Sequence, residues 1–370
     1  MKIAFLCKRR YMDKDVVADR YGRLYEIPYQ LSRLGHAVEV FCLDYKSGLA
    51  QRLEHEASPG SLRWNSRALG SGILPQAVRY PSRLLRALQS FSPDIVIGAS
   101  DIPHVVLGWW LARRLGRPYV ADLYDNFESF GQARIPGMVP ALRHAVRNAD
   151  VVTTTSEPLA RFVRSVYRAR GDVFALPSSV DLAVFHPRDQ QACRRHLGLP
   201  LHAKLIGTAG GLSRMKGIDT LYAAWQLLAH SHPEVHLVLA GSIDADLPIP
   251  KGERVHYLGQ LQHASVAELF CALDVGVMCV PDTSFGRYCF PQKAYEMLAC
   301  ALPVVASDVG AIGGLLESYP SCLFRGADVA HLAQQITTQL TTPTVPAVAI
   351  EDWAGLVARL HAKLSKLGQR

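Results

Sequence analysis

FGRYCFPQKAYEMLACALPVVASDVG, Phe285 to Gly310, is the stretch on which the fold turns. Pro291 at a first-turn position opens a helix carrying Glu296, and the apolar run PVVAS from Pro303 has the length of a buried strand. A loop, a helix mouth and a strand thus follow one another in quick order. A helix N-terminus gathers unpaired backbone N–H groups and a partial positive charge, so Gln292 and Lys293 stand where a phosphate would be held. Glu296, one turn further in, is placed to accept hydrogen bonds from a sugar hydroxyl. The competing reading is a plain connecting helix with a solvated glutamate.

Outward from this stretch, strands and helices alternate. KIAFLC from Lys2 is a strand, and RLYEIPYQLSRLGHAVEVFCLDY supplies a helical stripe, a stop at Gly35 and a second strand. After a polar stretch from Gln51 to Gln76 that defines no element come helix PSRLLRALQSF, strand DIVIGAS, helix IPHVVLGWWLARRLG and strand RPYVADLYD. In the third of these His104, Trp109 and Trp110 read as core. Without hairpin signals the pattern predicts mostly parallel sheets covered by helices on both faces. Ligands collect outside the carboxyl ends of such strands, which singles out Asp122 to Glu128. The long loop from Met12 to Arg23, with Gly22 before its helix, is a second candidate ligand loop. In KLIGTAGGLSRMKGIDTLYAAWQLL from Lys204, a glycine turn sets Lys216 and Gly217 at a helix mouth, where a cation and free N–H groups suit a diphosphate.

A chain of 370 residues with 49% hydrophobic and 19% charged residues suits two packed α/β domains. No uninterrupted apolar run reaches about 18 residues and the N-terminus lacks a signal peptide's pattern, so a cytoplasmic protein is expected. The eight cysteines include no Cys-x2-Cys pair, which argues against zinc and against a disulfide framework. Of the net charge of +8, residues 1–175 carry 25 Lys and Arg against 16 Asp and Glu, and the remainder 15 against 16. The basic first half fits an anionic partner: a membrane surface or a lipid-linked pyrophosphate before nucleic acid, for which no helix-turn-helix, RNP-like or zinc-finger spacing is present.

The run from Phe290 to Gly310 resembles the donor-site signature of the family 4 glycosyltransferases, retaining enzymes of the GT-B fold, with Glu296 at the signature's second glutamate. The signature's first glutamate falls on Tyr288, and the glycine before Leu-Pro-Val-Val falls on Ala301. Further matches follow in order. VADLYDNFES resembles a strand-end motif with Asp125 at its aspartate and Tyr124 at the histidine or arginine position. DVFALPSSVDLAVFHP resembles the linker, with Pro177, Asp181, Phe185 and Pro187 matching. The glycine turn matches at Lys216 but has Gly211 at the arginine position, with Arg214 three residues on.

The resemblance implies two Rossmann-like parallel-sheet domains facing across a cleft. Residues 1–180 would hold the acceptor, residues 181–350 the nucleotide sugar, and a final helix in 351–370 would cross back to the first domain. It implies Lys216, Arg214 and Asp125 as catalytic residues. Glu296, Lys293, Gln292, Tyr288 and Gly211 are expected to bind the donor, with Gly259 and Leu261 at the base and Gly22 and Arg23 facing the phosphates. The expected reaction is retaining transfer of a sugar from a nucleoside diphosphate sugar to a glycan or lipid-linked acceptor. No metal is expected, since no Asp-x-Asp ends a strand; Asp244-Ala-Asp246 lies in a loop. Two alternatives stand beside it: a catalytically silent partner that binds nucleotide sugar or glycan, and a nucleotide-sugar epimerase of the same fold. Arg79, Arg83 and Arg86, and Arg134, Arg143 and Arg147 around Ile135, Met138 and Val139, suggest peripheral contact with the inner face of the cell membrane.

Overall fold

The computed structural model describes residues 1–11, 14–45, 50–68 and 73–368, with residues 73–77 as backbone only. Met12 and Asp13 of the candidate ligand loop, and residues 69–72 of the polar stretch, lie outside them. The chain forms two compact units, Met1–Ser178 with Tyr288–Phe290 and Glu351–Arg370, and Ser179–Arg287 with Pro291–Ile350.

The first unit runs β1 (Lys2–Lys8), β2 (Arg10–Tyr11), β3 (Lys14–Asp15), α1 (Arg23–Arg33), β4 (Ala37–Asp44), β5 (Gln51–His55), β6 (Ser61–Ala68) and α2 (Ile73–Phe91). It continues through β7 (Ile95–Ala99), α3 (Ile102–Leu115), β8 (Tyr119–Leu123), α4 (Met138–Arg147), β9 (Val151–Thr154), α5 (Glu157–Phe162) and β10 (Asp172–Ala175). Eight strands form one sheet in the order β10-β9-β8-β7-β1-β4-β6-β5. Every pairing is parallel except β5 with β6. β7 and β8 are buried at every position, because helices cover both faces and an unbroken apolar run is what such a strand needs.

The polar stretch from Gln51 holds β5 and β6, which the sequence did not reveal. β5 is an edge strand with four of its five residues exposed, so it carries no apolar alternation. β6 alternates, and its Trp64 is fully buried against Tyr25, with parallel rings 5.7 Å apart.

The second unit contains α6 (Gln190–His196), β11 (Lys204–Ala209), α7 (Ile218–Ser231), β12 (Val235–Ala240), β13 (Val255–Tyr257), α8 (His263–Ala272) and β14 (Val275–Met278). Then come α9 (Ser284–Tyr288), α10 (Gln292–Ala299), β15 (Val304–Ser307), α11 (Gly310–Leu315), β16 (Leu323–Phe324) and α12 (Val329–Thr341). Its six-stranded parallel sheet has the order β13-β12-β11-β14-β15-β16. Counted from β11 this is 3-2-1-4-5-6, the Rossmann order, with the reversal between β11 and β14.

The last helix, α13 (Trp353–Leu367), belongs to the first unit. Its Leu356, Val357, Leu360 and Leu364 join the core beside α1, and Lys363 pairs with Asp172. Seven of the eight cysteines are buried as free thiols.

Candidate functional site

At the carboxyl end of β11 the chain makes its glycine turn beside the mouth of α10. Lys293, in the first turn of α10, donates from Nζ to Thr208 Oγ1 at 3.2 Å. Burial and then the charge of Lys216 draw its pKa down to about 8. Glu296, one turn later, is pushed up to about 7 by burial, opposed by a hydrogen bond from Gln292 and by the charge of Lys293. Gln292 Nε2 stands 3.3 Å from Glu296 Oε1 and 3.2 Å from the carbonyl of Ser179. Two cations and a carboxylate held partly neutral thus act on one another at this sheet edge, an arrangement that costs stability while no ligand offsets the charges.

Glycines make room for it. Gly210 has φ +113, and a Cβ there would stand 3.4 Å from Lys293 Nζ. Gly241, φ +128, would drive a Cβ to 1.8 Å from the carbonyl oxygen of Gly210. The predicted Gly211 lies in open surroundings, its nearest neighbour Ser242 Oγ at 3.9 Å, so the close approach falls one residue earlier than expected. Gly259, φ +71, accepts a hydrogen bond from Gly241 N at 2.7 Å, which brings the β13 turn to the same sheet edge. Leu261 is partly buried against the unit's core.

Lys216 closes a single 3₁₀ turn, Arg214–Lys216, with its ammonium 4.2 Å from the ring centroid of Phe285. Arg214 is exposed and pairs with Asp219 at 3.3 Å, a surface contact of small energy.

One expected donor residue is corrected. Arg23 is fully buried: its guanidinium binds Asp122 and donates to the carbonyls of Leu176 and Pro177, so no hydrogen-bonding edge is left for a ligand. Its neighbour Gly22 is the N-cap of α1, with φ +69. Tyr288 belongs to the first unit; its ring packs 4.8 Å from that of Phe162 and its carbonyl accepts from Ser156 Oγ. The tyrosine in place of the first glutamate is half-buried and packs within this unit.

In the first unit, Asp125 follows the carboxyl end of β8 and accepts from Asn126 N at 2.8 Å. Beside it Lys8, at the end of β1, donates to Tyr124 Oη at 2.8 Å and lies 5.3 Å from that ring's centroid. Burial lowers the Lys8 pKa, while Asp101, Cys7 and Asp125 resist the shift. Lys8 N donates to Ser100 Oγ of β7's end, where Ser100 has φ +82. β1 and β7 flank this sheet's own reversal point, so Lys8 and Ser100 stand where ligands gather in such folds. Sequence reasoning passed over Lys8, Thr208 and Gly210, although each ends or directly follows a predicted strand.

Comparison with known proteins gives these features a family. Residues 23–178 match the family model described as Glycosyl transferase 4-like domain, and residues 203–342 match the one described as Glycosyl transferases group 1. D-inositol 3-phosphate glycosyltransferase of Stackebrandtia nassauensis is 29% identical over 306 residues, covering 74% of this chain and 67% of that protein. Its counterpart in Mycolicibacterium paratuberculosis is 29% identical over 355 residues, with 86% and 77% covered. Among solved structures, sucrose-phosphate synthase of Thermosynechococcus elongatus superposes with a TM-score of 0.68 at 19% identity, covering 99% of this chain and 94% of that one. Anabaena HepE, solved with UDP and glucose, gives 0.69 at 18% identity, covering 99% and 100%. With both halves matched by glycosyltransferase models and curated relatives carrying that activity, the chain belongs to the family 4 glycosyltransferases and is an enzyme of the GT-B fold.

Proposed function

We propose that the protein transfers a sugar, with retention at its anomeric carbon, from a nucleoside diphosphate sugar to a glycan or lipid-linked acceptor. The observation that carries this is the pair Lys216 and Lys293 beside Glu296 at the carboxyl edge of β11. The two ammonium groups meet the diphosphate and stabilise the charge that grows on it as the sugar departs, which also removes the need for a metal. Glu296 accepts from the ribose. Asp125 and Lys8 face the acceptor at the first sheet's reversal point. The complexes of Anabaena HepE and the curated relatives' names support this reading of donor and reaction.

Incubation with radiolabelled nucleotide sugars and native lipid extract tests it. Label moving into an acceptor with the donor's anomeric configuration is expected; isomerised donor would indicate an epimerase, and mere retention of label a silent binder. Activity should survive EDTA, and activity lost to EDTA and restored by Mg²⁺ would overturn the metal-free mechanism.

Glu296→Gln should act in opposite directions in two assays. Losing a charge-assisted hydrogen bond should weaken UDP by about 1.5–3 kcal/mol, read by calorimetry. The empty protein should become more stable at pH 8. Between the ordinary glutamate pKa of 4.5 and about 7 the native state binds more protons than the unfolded chain, so stability falls as pH rises through that window. The full penalty, on the order of 3 kcal/mol, is present above it and absent from the glutamine variant. Unchanged UDP affinity would remove Glu296 from the donor site.

Membrane contact is proposed through α2. Arg143, expected to contribute, makes a double hydrogen bond to Glu128 at 2.7 and 2.8 Å. Arg79 and Arg86 are exposed. Arg79→Glu with Arg86→Glu should weaken binding to anionic vesicles by about 2 kcal/mol or more, near 30-fold, at low salt. Equal sedimentation of parent and variant with such vesicles would refute the contact. No helix among the described residues is long and apolar enough to cross a membrane.

A further inference from the structure

Beneath α2 lies a cavity of about 250 Å³ that has no part in the sites above. Phe41 and Leu43 of β4 and Leu84 of α2, all buried, form its floor. Its polar side comes from Arg67 of β6, Arg83 of α2 and the partly buried Tyr80. In the parallel register Phe41 pairs with Asn65 and Leu43 with Arg67, so β6 sets polar side chains on the face where β4 supplies apolar ones to α2. Arg67 and Arg83 themselves reach the surface. Among the described residues neither Arg67 nor Arg83 makes a hydrogen bond or an ion pair. Arg79, Arg83 and Arg86 also follow one another at helical spacings of four and three, where like charges repel unless an anion offsets them.

We propose that this cavity binds the phosphate end of a single-chain lipid phosphate, with the two guanidinium groups on the phosphate and the first branch of the chain on Phe41, Leu43 and Leu84. Guanidinium pairs match phosphate oxygens in a fork geometry, and the apolar floor requires an apolar continuation of the anion. The volume is below the roughly 300–1,000 Å³ that encloses a whole small ligand, so one end of a longer molecule fits best. The biological setting, a lipid-linked acceptor, rests on the function proposed above; the binding itself does not.

Calorimetry on the full chain with farnesyl monophosphate, inorganic phosphate and farnesol tests this, with UDP binding measured on the same samples. Saturable binding of farnesyl monophosphate alone is expected. Arg67→Gln with Arg83→Gln should weaken it at least tenfold, and Ala87→Phe, which fills the cavity and leaves both charges in place, should abolish it; far-UV circular dichroism and retained UDP affinity would show that both variants fold. Unchanged affinity in either variant, or equal binding of farnesol or of inorganic phosphate, would overturn the proposal. Farnesyl monophosphate binding without UDP binding would count against the transferase reading and leave the cavity assigned, whereas UDP binding alone would remove only the cavity.

Discussion

Arg23→Met is expected to lower the free energy of unfolding by about 3–5 kcal/mol, because it removes one half of a buried ion pair and leaves the other half charged. Asp122 is 1% exposed and takes its hydrogen bonds from Arg23 and from Thr153 Oγ1. Without the guanidinium it keeps only the hydroxyl, and the carbonyls of Leu176 and Pro177 lose their donor. Arg23→Met with Asp122→Leu should recover much of the loss, since a buried pair exchanged as a unit for apolar residues is often neutral. Urea midpoints at constant slope read both effects. A loss below about 1 kcal/mol for the single variant, or a double variant no better than the single, would show that the pair is not what holds α1 to β8.

Lys293→Ala and Lys216→Ala should each lower kcat by about 10²–10³ while KM moves little, because each cation is needed most when charge accumulates on the leaving diphosphate. The double variant should fall short of the product of the singles, since both act on one group. Arg214→Ala should do far less, being turned to Asp219 at the surface. The parent's kcat/KM should decline as pH rises through about 8, where Lys293 of the free enzyme loses its proton, and Lys293→Arg should lack that limb. Stability runs the other way. Between about 8 and 10.5 the native state holds fewer protons than the unfolded chain, so the empty protein gains stability as pH rises, and below that window Lys293→Ala should stabilise it. Near-parental turnover for both alanine variants would end the diphosphate assignment and favour a silent binder.

What the sequence shows and what it hides follow from range. The central strands of both sheets are apolar runs because helices cover them on two faces, so their existence and order are written locally. β5 is hidden because an edge strand facing water needs no pattern. The mouth of α10 is legible through Pro291, Lys293 and Glu296, neighbours in the chain. Its partner Thr208 lies 85 positions away, and no local spacing announces that contact. Arg23 is placed at the donor phosphates by the resemblance alone, and its counter-charge, 99 residues distant, is equally beyond any local pattern. Gly211 and Gly210 differ by one residue, and only the fold shows which of them approaches Lys293.

The chain passes between its two units at four points: after Ser178, after Arg287, after Phe290 and after Ile350. Neither unit is therefore a contiguous gene segment. A fragment ending at Ser178 would lack α13 and expose apolar side chains of α1, such as Ile27 and Leu31, that share a core with it. Recombination that exchanged the second unit between relatives, in nature or by design, would have to return the last twenty codons to the recipient's own version. If the second unit holds the donor as proposed, a new donor preference arises more readily by substitutions within that unit than by a single crossover.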